Sequence, residues 1–299
     1  MKIVYLQHPH QIKRNSVLPS VMALGFFDGV HIGHQSVIHT AKSTASQRGL
    51  ASAVMTFYPH PAVVLGHKPD NQTITPLDLK KKVIEKLGID TMYIVNFTKE
   101  FSQLSPQKFI EEYIIGLSVK HVVAGFDYTY GRFGKGTMET IERDARGEFT
   151  FTKVDKVERN NLKISSTLIR QLIHEGKVER IPSLLGRYYQ TEGRILIREN
   201  SDFLIGPSER FMLPKEGVYS VCVKINNVSL NGISVIFNQL SNNGQVPEPL
   251  VGFHLFDSNQ DIQEEHVILE WRKCLSEETS DHHSLLKLNR SLKKTVLVE

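Results

Sequence analysis

The stretch Ser20-Val21-Met22-Ala23-Leu24-Gly25-Phe26-Phe27-Asp28-Gly29-Val30-His31-Ile32-Gly33-His34 decides how the first part of the chain folds. Its apolar run, Ser20–Phe27, reads as a buried strand, and from about His34 to Arg48 the spacing turns helical. Where a strand ends and a helix begins, free backbone amides meet the positive end of the helix dipole, which makes a natural phosphate site. Gly29 and Gly33 let the backbone approach a ligand closely. His31 and His34 are three residues apart, so in a helical turn both rings face the same way. Two imidazoles beside a phosphate donate hydrogen bonds to its oxygens and stabilise charge that develops during transfer. A two-histidine metal site is the lesser alternative, because no third ligand is obvious nearby.

Outward from this stretch, apolar runs at Ala51–Phe57, Met92–Phe97 and His121–Ala124 read as strands. Between them lie helical patterns. Pro76–Leu87 carries Leu77, Leu79, Val83, Ile84 and Leu87 at helical spacing with Gly88 as its stop, and Pro106–Ile115 is a second helix. Strand and helix in alternation predict an α/β fold, a parallel sheet covered by helices with ligands at the carboxyl ends of the strands. Beyond about Leu185 the pattern becomes antiparallel β. Thr191–Ile197, Val218–Ile225, Val228–Phe237 and Leu250–Phe256 read as strands, with Asn226–Asn227 as a hairpin turn. A helix near Glu264–Glu278 and a polar, basic tail follow. The expectation is two domains, residues 1–184 and 185–299, the second a small antiparallel barrel or sandwich with a C-terminal helix.

Composition agrees. The chain has 299 residues, 40% hydrophobic and 23% charged, which excludes disordered and fibrous classes. No run approaches the roughly 18 to 20 apolar residues of a membrane span. Met1–Ser20 shows no secretory signal, and Cys222 and Cys274 form no framework, so a reduced, cytoplasmic protein is expected. The net charge of +4 hides an asymmetry: residues 1–184 sum to +7 and residues 185–299 to −3. A basic first part suits anionic small ligands. The acidic balance of the second disfavours nucleic acid, and its one basic cluster, Lys287, Arg290, Lys293 and Lys294, reads as a solvated tail.

His31-Ile32-Gly33-His34 resembles the HxGH signature of the nucleotidyltransferase superfamily. The longer frame from Gly25 to Gln35 resembles its flavin-adenylylating branch, the prokaryotic FAD synthetases. Thr56-Phe57-Tyr58-Pro59-His60-Pro61 and Gly125-Phe126-Asp127-Tyr128-Thr129-Tyr130-Gly131 are similar to that branch's flavin-site segments. Lys163-Ile164-Ser165-Ser166-Thr167-Leu168-Ile169-Arg170 is similar to its triphosphate signature. The resemblance implies a Rossmann-like domain that transfers AMP from ATP to FMN, giving FAD and pyrophosphate with Mg²⁺. Implied as catalytic are His31, His34 and Arg170. Gly25, Phe26, Phe27, Asp28, Gly33, Ser165, Ser166 and Thr167 are implied for ATP, and Phe57, His60, Pro61, Asp127 and Tyr128 for flavin. No protein metal ligands are implied.

The remainder resembles, in outline, the family's riboflavin kinase barrel, through Gly193-Arg194-Ile195, Leu213–Tyr219 and His254-Leu255-Phe256-Asp257. Its chemical groups differ. The family's Pro-Thr-Ala-Asn element corresponds to Pro207-Ser208-Glu209-Arg210, and its catalytic Glu corresponds to Gly252. The resemblance therefore implies a transferase with little or no kinase activity. The full bifunctional enzyme and a flavin-sensing regulator are the alternatives, and the oligomeric state is left open.

Overall fold

The structure is a computed structural model and describes residues 1–66, 72–159, 162–199, 201–208, 211–225, 228–238, 249–256 and 266–277. The chain forms two compact units, residues 1–71 with 75–165, and residues 72–74 with 166–299. Packing thus groups the helix Ser166–His174 with the second unit. There the Ile173 carbonyl accepts the Lys215 amide at 3.2 Å, and the Arg170 guanidinium lies 3.0 Å from Met212 Sδ.

Among the described residues the first unit has ten strands: β1 (Lys2–Leu6), β2 (Ser20–Leu24), β3 (Ala51–Tyr58), β4 (Thr91–Asn96), β5 (Val119–Gly125), β6 (Thr129–Tyr130), β7 (Gly136–Thr137), β8 (Thr150–Val154), β9 (Glu158–Arg159) and β10 (Leu162–Lys163). Six form one parallel sheet in the order β1-β4-β3-β2-β5-β8. β2 is buried throughout because it faces two cores. Met22 and Leu24 pack with Met55, Phe109 and Tyr113 on one face. Val21 and Ala23 pack with Val37, Ile38 and Ala41 of the helix Ile32–Arg48 on the other. This two-sided burial is what a central parallel strand requires.

From β2 the sheet runs to β3 on one side and to β5 on the other, so the β2–β5 pair is its topological switch point. Crevices outside the carboxyl ends of strands at such points are where open α/β sheets bind ligands. The Gly25–His34 motif follows β2, and Gly125–Gly131 follows β5. The helices Leu77–Lys86 and Pro106–Phe109 stand where the sequence places them, the latter running on into a π-helical turn at Ile110–Ile115. β1 and β8, the two sheet edges, were not anticipated: each is short, and edge burial leaves only a weak apolar pattern.

The second unit is a closed antiparallel barrel in the order β11-β12-β15-β14-β13-β16: β11 (Tyr189–Glu199), β12 (Asp202–Pro207), β13 (Gly217–Ile225), β14 (Val228–Asn238), β15 (Pro249–Leu255) and β16 (His266–Ser276). One expectation is corrected here. The helix predicted near Glu264–Glu278 is strand β16 from His266 to Ser276. Val267, Leu269 and Trp271, each fully buried, alternate with less buried neighbours, and a period of two is a strand's. Its glutamates, with Arg272 and Lys273, are residues that favour helix, but pairing to both β11 and β13 decides it. The Asn226–Asn227 turn lies outside the described residues, although Ile225 and Val228 pair as a hairpin requires. Glu209, Arg210 and the basic cluster at 287–294 also lie outside them.

Candidate active site

The loop from Gly25 to His31 turns the chain from β2 into the helix Ile32–Arg48. Its backbone is constrained: Gly29 has φ +86°, and Phe27 and Val30 stand at φ +55° and +43°, where side chains are rarely found. Such conformations cost on the order of 1–3 kcal/mol each and persist when the surroundings enforce them. Several contacts do so. The Gly25 amide donates to the Met55 carbonyl at 3.3 Å, and Gln35 Nε2 donates to the Val30 carbonyl at 2.9 Å. Asp28, 3% exposed, accepts the Thr75 amide at 3.2 Å.

His31 caps the helix. Its Nδ1 accepts the His34 amide at 3.1 Å, which leaves the ring proton on Nε2. The two imidazoles stack with centroids 3.6 Å apart and planes 13° from parallel. A Cβ added to Gly33 would lie 3.1 Å from the His31 ring, so any larger residue there would crowd the capping imidazole. His34 packs edge-on against Phe27 at 5.4 Å, and its buried Nδ1 has no hydrogen-bond partner among the described residues. Burial lowers the His31 pKa to about 4 against the opposing pull of Asp28. Burial, then His31 and Lys80, hold His34 well below the ordinary imidazole range. Both rings are therefore neutral near pH 7, and each carries one N–H to give.

The flavin-type residues divide. Phe57 is buried at 8% exposure and packs against Phe97 and Phe101 in the core, so it shapes the wall from behind. His60 caps the short helix Pro61–Val64, its Nδ1 accepting the Ala62 amide at 3.0 Å, and its ring lies 4.1 Å from that of Phe26. Pro61 is the first residue of that helix. Asp127 is exposed and pairs with Lys163 at 2.9 Å, and both act electrostatically on His31. Tyr128 stacks with Tyr130, and burial pushes its phenol up. In the second unit, Ser166 and Thr167 begin the helix Ser166–His174, one turn before Arg170. Arg170 points a guanidinium nitrogen at the Gln72 carbonyl, 3.5 Å away. Ser165 is the last residue of the first unit.

Sequence reading missed Lys80. It sits in the helix Leu77–Lys86, only 3% exposed, its Nζ donating to the Phe26 carbonyl at 2.7 Å. The signal was present: Lys80 falls three residues after Leu77 and four before Ile84, on the apolar face.

A constrained strand-to-helix turn at a switch point, capped by His31 with the neutral His34 ring stacked on it, is the site of a nucleotidyltransferase. Residues 13–168 match the family model described as FAD synthetase, and residues 203–297 match that described as riboflavin kinase. The chain belongs to the family of bifunctional riboflavin kinase/FAD synthetases. It is 42% identical over 287 residues to the bifunctional riboflavin kinase/FMN adenylyltransferase of Bacillus subtilis, covering 93% of this chain and 91% of that protein. Listeria monocytogenes has two relatives. One, of the same description, is 41% identical over 91% of this chain and 88% of its own length; the other, an FAD synthetase, is 30% identical over 71% and 85%. A crystal structure described as a macrolide-efflux protein from Streptococcus pneumoniae superposes with a TM-score of 0.86 at 27% identity, covering 98% of this chain and 99% of that one. Among the described residues, no helix is long and apolar enough to cross a membrane.

Proposed function

We propose that the protein is an FMN adenylyltransferase: an FMN phosphate oxygen attacks the α-phosphorus of ATP, a P–O bond to AMP forms, and pyrophosphate leaves, giving FAD. The observation that carries this reading is the stacked His31–His34 pair at the start of the helix Ile32–Arg48. His31 donates from Nε2 to an α-phosphate oxygen, and His34 offers its own N–H beside it. A nucleophile that is already ionised needs little base assistance, so positioning and charge stabilisation dominate. Ser165, Ser166, Thr167 and Arg170 hold the β- and γ-phosphates, the guanidinium by its fixed fork of donors. Gly25, Phe26, Phe27, Asp28 and Gly33 form the nucleotide cradle. His60, Pro61, Asp127 and Tyr128 line the flavin side, backed by Phe57. Mg²⁺ would arrive as magnesium–ATP, held by the substrate's phosphates. The reaction is assigned to the cytoplasm.

We assign the transferase to residues 1–184 and a barrel with little or no kinase activity to residues 185–299. Gly252 supports the second assignment. It lies in β15 between Leu204 and Val235, its carbonyl accepting from Ser234 Oγ at 2.9 Å, and brings no carboxylate to deprotonate a flavin hydroxyl. The bifunctional reading is favoured by the descriptions of the B. subtilis and L. monocytogenes relatives. One experiment separates the two. The purified protein is given magnesium–ATP with either FMN or riboflavin, and the products are resolved by chromatography. FAD from FMN and no phosphorylated flavin from riboflavin is the expected result; FMN or FAD from riboflavin makes the bifunctional reading correct. No FAD from FMN overturns the transferase reading.

A further inference from the structure

Lys80 is a buried cation that the chemistry above does not use. Its ammonium does three things at once. It donates to the Phe26 carbonyl at 2.7 Å, approaches Thr56 Oγ1 at 3.4 Å, and lies 4.1 Å from the centre of the Phe26 ring. Thr56, itself fully buried, donates its hydroxyl to the same carbonyl at 2.8 Å. The Phe26 carbonyl therefore has two donors from two elements, Lys80 on a helix and Thr56 on β3. Phe26 is the residue before Phe27, where the backbone enters its positive-φ path toward Asp28 and His31.

Burying an ammonium is costly unless charge and hydrogen bonds compensate. Here Asp28, at 3% exposure, is the anion that favours the charged form, while Lys80 disfavours the cationic form of His34. A core-facing Leu or Met would fill this helix position at lower cost.

We propose that Lys80 is a positioning residue for adenylyl transfer: its ammonium fixes the Phe26 carbonyl, and with it the loop presenting His31 and His34, and lends fixed positive charge to the anionic reacting group from behind that loop. The inference rests on the reading that His31 and His34 face the reacting phosphate. Lys80 is buried against the Phe26 carbonyl, so its loss acts on turnover through geometry and field, with the KM for ATP less affected.

Burial brings the ammonium down to about 8, so the free enzyme loses this charge within an accessible range. The test is the pH profile of kcat/KM for ATP from pH 7 to 9.5, in the native enzyme, Lys80→Met and Lys80→Arg, with His31→Ala as control. The native profile is expected to fall through a limb near pH 8. Lys80→Met is expected to lose on the order of 10²-fold in kcat, with KM within a few-fold and the limb gone. Lys80→Arg, which keeps its proton, is expected to recover part of that loss and stay flat to pH 9.5. A flat native profile overturns the proposal without any variant, as does a limb that persists in Lys80→Arg. So does a folded Lys80→Met enzyme within twofold of native kcat. If His31→Ala is also fully active, the reading of the histidines falls instead.

Discussion

The imidazole rings of His31 and His34 lie face to face, 3.6 Å between centroids, while His31 Nδ1 accepts the backbone amide of His34. One ring is thus spent on holding the helix start, and the hydrogen bond that holds it also decides which of its nitrogens carries the proton. Capping and chemistry share a residue.

Replacing either histidine by alanine should lower FAD formation by roughly 10²–10³ in kcat, the scale for losing one donor to a developing anion. Because the two rings are in contact, the double variant should lose less than the product of the single effects. Steady-state assays with FMN and magnesium–ATP check this. Near-native turnover in both single variants would exclude these rings from the transfer step.

Acid should weaken the folded state through these buried imidazoles. His31 and His121, each brought down to about 4 chiefly by burial, stay neutral when folded, while the unfolded chain takes up protons below about 6.5. The unfolded state then binds more protons, so unfolding free energy falls from pH 6.5 toward pH 4 and levels off below. His31 alone contributes a loss on the order of 3 kcal/mol. Urea unfolding across pH 4–7 measures it, and the slope should flatten in His31→Asn.

The Asp127–Lys163 pair is exposed, and an exposed ion pair stabilises by about 0–1 kcal/mol. Asp127→Ala should therefore leave thermal stability within about 1 kcal/mol while raising the KM for FMN severalfold. An unchanged KM would remove Asp127 from the flavin side.

In the barrel, Trp271 is fully buried and its Nε1 donates to Thr191 Oγ1 at 3.0 Å. Trp271→Phe removes volume and strands that hydroxyl, at a cost of about 1–3 kcal/mol. Calorimetry should show the loss while FAD formation per folded molecule is retained.

Much of this was legible in the sequence because the central strands are buried on both faces: Ala51–Phe57 and Met92–Phe97 announce themselves as mostly apolar runs. The motif Gly25–His34 was legible for a different reason, as its glycines and histidines are rare companions at a strand-to-helix turn. What stayed hidden has physical causes. Edge strands β1 and β8 bury little and so leave little pattern. β16 mixes a strand's alternation with residues that favour helix, and only its partners on both sides decide it. Phe57 reads as a ligand contact from its neighbours Pro59 and His60, yet the fold turns it toward Phe97 and Phe101. Lys80 was passed over because a single charge on an apolar helix face looks like noise until the carbonyl it reaches is known.

The ring of strands β11 to β16 bears on how such a unit is inherited. Every strand in it has a neighbour on either side, so there is no open border at which another chain could add itself. A side-chain change within such a ring exposes no seam, so drift in its sequence meets no edge-pairing penalty. The parallel sheet, which ends at β1 and β8, lacks that protection. Closure thus makes the barrel the more forgiving half of the molecule to evolutionary change.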